Sequence, residues 1–376
     1  MKKKKRRRAP APLWRRWLYC LLPAVIAAVM YLLLPHVRGF TERFITRGLF
    51  RAVAFPVEWL MSLLPFSVTE LVVVLCVPAV LTLLICFIVR LVRSREPAKT
   101  AERGARFAAW CLSLLLLIFM VMDGANFSRL PVGTLMDLPE RTYTPEELAL
   151  VVTDLAQKTT AAREATAQDE DGCMILSKTL RDTLLSGDDC YRPLRERYPF
   201  LIGGTWRVKP VMLSHQWSYT GYTGVYCPWL GEASVNVDVP PCELGHTVTH
   251  ELAHTMGFAR EDECNFLGYL ACVESGDPDY VYSGYLSAYL YCSNALYAYD
   301  KEMWRECYQH LGEGVRRDLK QRNAYWKQFE GQVQESSQKV NDAFIKANGD
   351  DKGTLSYGQM VAFVLRWYDA QGAFSG

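Results

Sequence analysis

His250-Glu251-Leu252-Ala253-His254, running directly into Thr255-Met256-Gly257-Phe258-Ala259-Arg260-Glu261, is the stretch on which the reading of the chain turns. On an α-helix, residues four apart stand one turn above each other, so both imidazoles can grip one cation with Glu251 alongside. The flanks favour that helix. Pro240-Pro241 suits its start, Glu243 suits its positive end, and Gly257 is the residue best able to take the left-handed turn that closes it. The pattern places the motif in the last two turns of the helix and predicts a Zn2+ site that activates water.

Zinc in a hydrolytic site takes three protein ligands and leaves a fourth position to water, so a further donor is needed beyond Gly257. Glu261 and Glu263 are the candidates. They open a second helix, whose apolar positions Phe266, Leu267, Leu270 and Ala271 recur at helical spacing. The same acids would also suit that helix's dipole without touching metal. Two histidines alone hold zinc poorly, which favours the ligand reading. Glu261 is preferred and Glu263 is the alternative, because Asn265 lies one turn after Glu261, where it can orient a ligating histidine. His246 shares the face of His250 and His254 but stands a turn too far back to join both, so it is expected behind the ligands or in the core.

Glu251 is expected to be the catalytic residue, a general base that takes a proton from water and passes it to the leaving amine. The oxyanion needs a further donor, and Tyr219, Tyr222, Tyr226 and His215 all lie upstream without the pattern choosing among them. A peptide or protein substrate follows from this chemistry. The alternative is a non-catalytic membrane sensor or assembly factor with a zinc-stabilised external domain. Structural zinc sites are closed by four ligands and have no use for an acid beside the first histidine, so Glu251 argues for catalysis.

The chain has 376 residues, is half hydrophobic and carries a net charge of +2, but its apolar residues are unevenly spread. A Lys/Arg-rich segment over residues 1–17 precedes an apolar run over 18–34, which reads as a cytoplasmic start followed by a membrane anchor. Further spans are expected over about 71–89 and 107–122. Between the last two lie Arg90, Arg93, Arg95, Lys99, Arg103 and Arg106, a second cytoplasmic marker. Three crossings place residues 124–376 outside the cytoplasm. The mixed Arg and aromatic segment from Gly39 to Pro65 suits an amphipathic piece lying on the bilayer. Basic residues cluster beside apolar spans, which points to lipid and away from nucleic acid.

The fold expected is α+β: a three-helix transmembrane region (18–123) followed by a mostly helical, zincin-like domain with a small β-sheet. Thr144-Pro145-Glu146-Glu147 carries a helix-start signature, and Ile175 to Leu185 reads as another helix. Ala233 to Val239 alternates strictly, the mark of a strand with one face buried, and would make a substrate rail if it lay at a sheet edge. Tyr285, Leu286, Tyr289, Leu290, Leu296 and Tyr297 form a helical stripe expected in the core. Of 12 cysteines, the eight beyond the spans permit disulfides without indicating a pairing. Residues 348–353 are no calcium loop, because Lys352 occupies a ligand place and no Glu closes it.

Val208-Lys209-Pro210-Val211-Met212-Leu213-Ser214, Tyr219-Thr220-Gly221, Gly231-Glu232-Ala233, the His-Glu-Leu-Ala-His run and the block from Phe258 to Phe266 together resemble a bacterial membrane family catalogued as domain of unknown function 3810. The likeness extends from the first span through Ser356-Tyr357-Gly358. It implies a multispan anchor followed by a zinc-peptidase domain. A wider likeness is to the gluzincins, where a Glu on a following helix completes the site, often as Glu-x-x-Ala-Asp. Here Cys264 and Asn265 stand where that pattern has Ala and Asp. Gly257 sits at a metzincin-like spacing, but Arg260 occupies the place of the third metzincin ligand, and a guanidinium cannot serve.

Overall fold

The computed structural model describes residues 12–203, 207–348 and 357–374. Most of the basic 1–17 segment, nearly all of the 348–353 segment and Ser356 lie outside the described residues. Three helices are long and apolar enough to cross a membrane: Leu13–His36, Val68–Val92 and Pro97–Met122. Their α-helical parts are α1 (Leu13–Leu33), α3 (Val68–Val92) and α4 (Pro97–Met122), and α1 packs along α4. Helix α4 begins well before residue 107. Pro97 supplies a favoured first-turn residue, and the ion pairs Lys99–Glu96 and Arg106–Glu102 keep the basic block helical.

Between α1 and α3 the chain forms a π-helical stretch, Thr41–Phe50, continued by α2 (Arg51–Ser62). The segment is amphipathic, in a sense that composition does not disclose. Its charged Glu42, Arg51 and Glu58 are buried together with Thr46, Phe50 and Ala54, while Phe40, Phe44, Phe55, Trp59, Leu60 and Leu63 are exposed. The buried face packs on the larger helical part of the chain, and the apolar face is left for lipid.

That larger part is built on α5 (Pro145–Glu164), α6 (Pro241–Thr255), α7 (Glu261–Glu274) and α8 (Pro278–Tyr299), with α9 (Lys301–Tyr308), α10 (Glu313–Lys327), α11 (Gln332–Ala347) and α12 (Tyr357–Ala370) around them. Thr144 and Glu147 form a capping box at the start of α5. Leu286, Tyr289 and Leu296 of α8 are buried in the main core, whereas Tyr297 is exposed. The chain between Ala167 and Ile175 makes a two-stranded ribbon, β1 (Ala167–Gln168) with β2 (Met174–Ile175). The helix expected from Ile175 therefore begins only at Leu180, where Thr179 caps it.

The second sheet has the order β3-β5-β4, with β3 (Lys209–Pro210) parallel and β4 (Gly224–Cys227) antiparallel to β5 (Glu232–Val235). The alternating stretch is thus the central strand, shorter than expected, and cannot be an edge rail. Two of its polar positions are buried like its apolar ones, while Asp238 is exposed: Ser234 bonds Ser67 and Glu232, and Asn236 donates to the Ser218 hydroxyl at 2.9 Å. β4 is a terminal strand of this sheet and packs against α6. All twelve cysteines are free thiols, six of them buried.

The spans are riveted to this part by charge. Glu232 pairs with buried Lys209 at 2.5 Å and accepts from the backbone N–H groups of Val68 and Thr69, so a carboxylate sits at the positive end of α3. Glu70 in turn accepts from the N–H groups of Met212 and Leu213. At the carboxyl end of α6, Arg51 donates to the Thr255 carbonyl at 2.5 Å. Fully buried Arg129 donates to the Gly257 carbonyl at 2.8 Å, forms a two-pronged pair with Glu42 and lies 3.8 Å over the Phe258 ring. Replacing Arg129 by Met leaves buried Glu42 with only the half-exposed Arg47 and takes the donor from the Gly257 carbonyl, a change that costs up to about 3–5 kcal/mol. Thermal unfolding of the detergent-solubilised chain should therefore show a large loss for Arg129→Met and almost none for the exposed-pair control Lys99→Met; equal shifts would contradict the clamp.

Candidate metal centre

Helix α6 delivers His250, Glu251 and His254, and Gly257 ends it with φ +80°. That turn is closely surrounded: a Cβ on Gly257 would lie 2.9 Å from the Phe50 ring. Helix α7 starts at Glu261 and folds back along α6. Gly268 permits the approach, since a Cβ there would stand 3.1 Å from the backbone nitrogen of His250. The result brings His250, His254 and Glu261 together, with one ligand atom from each lying within 4.8 Å of the others. His250 Nε2 is 3.2 Å from His254 Nε2 and 3.1 Å from Glu261 Oε2, and His254 Nε2 is 3.8 Å from Glu261 Oε1.

Proton placement, assigned from the hydrogen-bond partners, decides what this convergence means. His254 Nδ1 faces the Phe258 carbonyl at 2.8 Å, an oxygen that can only accept, so that nitrogen carries the proton. His250 Nδ1 faces the Asn265 side-chain oxygen at 2.9 Å and is protonated for the same reason. In the neutral rings both Nε2 atoms then present lone pairs toward each other and toward a carboxylate. Three acceptors aimed at one point call for a cation. A proton on His250 answers part of that demand. Burial opposes it, but the hydrogen bond and charge of Glu261 outweigh burial and raise the imidazole above its ordinary value. Glu261, despite its own burial, is held down to about 2 by His250 and His254. One proton can lie between only two of the three atoms, whereas a divalent ion can take all three. Two imidazoles and a carboxylate are a donor set suited to zinc.

Glu263 is placed elsewhere. It is buried, accepting from the Val132 N–H at 2.9 Å and from Arg260 at 3.1 Å, and so ties α7 to the segment after α4. His246 lies behind the trio, with Nε2 3.1 Å from the Asn265 carbonyl, and burial lowers it to about 4. Asn265 thus touches both histidines, through its side chain and its backbone.

Glu251 is buried, and among the described residues its Oε2 has no hydrogen-bond partner. Burial first, and then the charge of Glu261, push it up to about 8 against the pull of His250. Beside it runs β4. A Cβ at Gly224 would fall 2.3 Å from Glu251 Oε1, so only glycine leaves that carboxylate its place. Of the upstream candidates, Tyr226 stacks on His254 with ring centres 6.0 Å apart, and Tyr222 also lines the site cavity. His215 and Tyr219 are turned away, His215 pairing with Asp238 at 2.9 Å and both packing on Phe329.

The cavity in front of the trio measures about 1030 Å³. Its walls include Gly224 to Tyr226 of β4, Trp229, and Phe119 and Asp123 at the end of α4. Asp123 is a neighbour that the motif does not signal. Burial, with the charge of Glu261 adding to it, raises that carboxyl to about 7. Its one mark in the sequence is its place as the first acid after the last span.

A family model described as a protein of unknown function, DUF3810, matches residues 46–365. No curated protein and no solved structure matches the chain.

Zinc added to the purified full chain should bind at one equivalent, read by elemental analysis and chelator competition. His254→Ala and Glu261→Gln should each lose tight binding, and Asn265→Ala should weaken it about 10- to 100-fold by freeing the His250 ring. Glu263→Gln should keep the affinity while lowering thermal stability. Equal metal loss in the Glu261 and Glu263 variants would overturn the assignment.

Proposed function

The chain belongs to the DUF3810 family, and we propose that it is a membrane-anchored zinc metallopeptidase with a zincin-like, gluzincin-type domain. One observation carries the reading: a ligand atom from each of His250, His254 and Glu261, on α6 and α7, lies within 4.8 Å of the others, beside a buried carboxylate oxygen of Glu251 that has no hydrogen-bond partner among the described residues. His250, His254 and Glu261 would hold the ion. Bound there, zinc would lower the pKa of a water ligand toward 7 and polarise a carbonyl. Glu251 is next to the ligands but not spent on them. With its Oε2 unpartnered among the described residues, its carboxylate can take a proton from water and return it to the leaving nitrogen. A closed four-ligand structural site would have no role for such a group.

The substrate side is β4. As the terminal strand of its sheet it offers main-chain groups to an extended peptide, and Gly224 lets that strand lie directly against Glu251. Tyr226, stacked on His254, is the best-placed of the upstream tyrosines to meet a developing oxyanion. The basic residues near the start of the chain and between α3 and α4 support a cytoplasmic N-terminus. The carboxyl end of α1, the amino end of α3 and the carboxyl end of α4 all meet the larger part of the chain, which accordingly lies on the opposite, extracytoplasmic side.

The test uses the full chain loaded with zinc and a peptide library read by mass spectrometry. Glu251→Gln should retain zinc and lose about 10²- to 10⁴-fold in cleavage. Gly224→Ala should also keep zinc but lose cleavage, because its methyl displaces the Glu251 carboxylate. Biological activity that survives unchanged in Glu251→Gln would favour a zinc-stabilised sensor or assembly factor instead.

A further inference from the structure

The position of the cavity relative to the spans narrows the substrate. Phe119 and Asp123 belong to the end of α4, and they stand in the same cavity wall as Glu251 and Glu261. The turn joining β4 to β5 reaches further along the span. Trp229 at that turn donates its indole N–H to the Leu115 carbonyl at 3.1 Å, and its ring meets Phe119 with centres 5.8 Å apart. Leu115 lies two helical turns before the end of α4, about 10 Å along its axis. The turn therefore sits beside the apolar body of the span, at a depth where a tryptophan with a wet and an apolar end is favoured.

The free edge of β4 connects this turn to the chemistry. Gly224 abuts Glu251 at one end, and Trp229 touches α4 at the other. Three of the five steps between them are strand, about 10 Å of extended chain, and the rest is the turn. The roof of the cavity repeats the theme. Val340, Asn341 and Phe344 of α11 line it, Phe344 packs on Phe119 and Phe127, and Tyr31 of α1 donates to the Ala347 carbonyl at 2.9 Å. Val333, Val340 and Phe344 nevertheless stay exposed, as does the aromatic face of the segment before α3, which gives the cavity an apolar surround level with the span ends.

We propose that the substrate is a membrane-tethered polypeptide, laid along β4 and cut within about ten residues of the point where it leaves the bilayer. The inference rests on the peptidase reading above. A chain emerging from the bilayer beside Trp229 reaches Glu251 after about five residues, so a tether shortens the search for the site and holds the scissile bond in register. A soluble polypeptide has neither advantage.

The experiment places the full zinc-loaded chain in phosphatidylethanolamine/phosphatidylglycerol vesicles with three reporter libraries that share one randomised ten-residue segment. In the first the segment directly follows a single transmembrane helix, in the second a 40-residue Gly/Ser spacer intervenes, and in the third there is no helix. The expected result is cleavage at least tenfold faster in the first library, with cut sites inside the segment, and loss of all cleavage with Glu251→Gln. Comparable rates in the three libraries would overturn the tethered substrate and leave the peptidase standing. Absence of Glu251-dependent cleavage in every library would overturn both.

Discussion

The turn between α6 and α7 has a donor for four successive carbonyls, and the geometry of the candidate site depends on that. Thr255 O receives Arg51, Met256 O and Gly257 O receive Arg129, and Phe258 O receives the Nδ1–H of His254. These are the groups that a helix end leaves unsatisfied, and burying them unpaired would be costly. Two fixed cations also complement the negative end of α6. The direction in which α7 departs, and hence the reach of Glu261 to the histidines, follows from that pinned turn.

Those cations come from far along the chain from the motif. Arg51 belongs to the segment between the first two spans and Arg129 to the connection after the third. Glu42 and Glu58 keep both guanidinium groups aimed. The segment before α3 is accordingly a structural floor for α6, turned with its charges inward and its aromatic rings outward. The candidate metal site is thus held by residues next to the apolar helices, and a cavity wall is made from the end of one of them.

What the sequence disclosed was local. Pro240-Pro241, Gly257 and the acidic start at Glu261 mark helix ends through short-range backbone preferences, and each of these ends lies where the pattern places it. The i, i+4 histidines and the Asn265 hydrogen bond to His250 follow from helical spacing. What stayed hidden was long-range. Nothing near Arg129 points to Gly257, more than a hundred residues on. The order of the strands is not encoded in the alternation of Ala233 to Val239, because Ser234 and Asn236 are buried by hydrogen bonding as firmly as Val235 is by packing. Gly224 reads as an ordinary turn glycine until its neighbour Glu251 is seen. Glu263, chemically equal to Glu261 as a ligand, is removed from contention only by the Val132 N–H and Arg260 that hold it.

X-ray absorption at the zinc edge of the metal-loaded full chain tests the central claim most directly. The account predicts one ion with two imidazole nitrogens at about 2.0–2.1 Å, a carboxylate oxygen at about 2.0–2.2 Å and an exchangeable water oxygen, with no sulfur shell. A sulfur shell at about 2.3 Å, or a coordination sphere closed by four protein ligands, would contradict it.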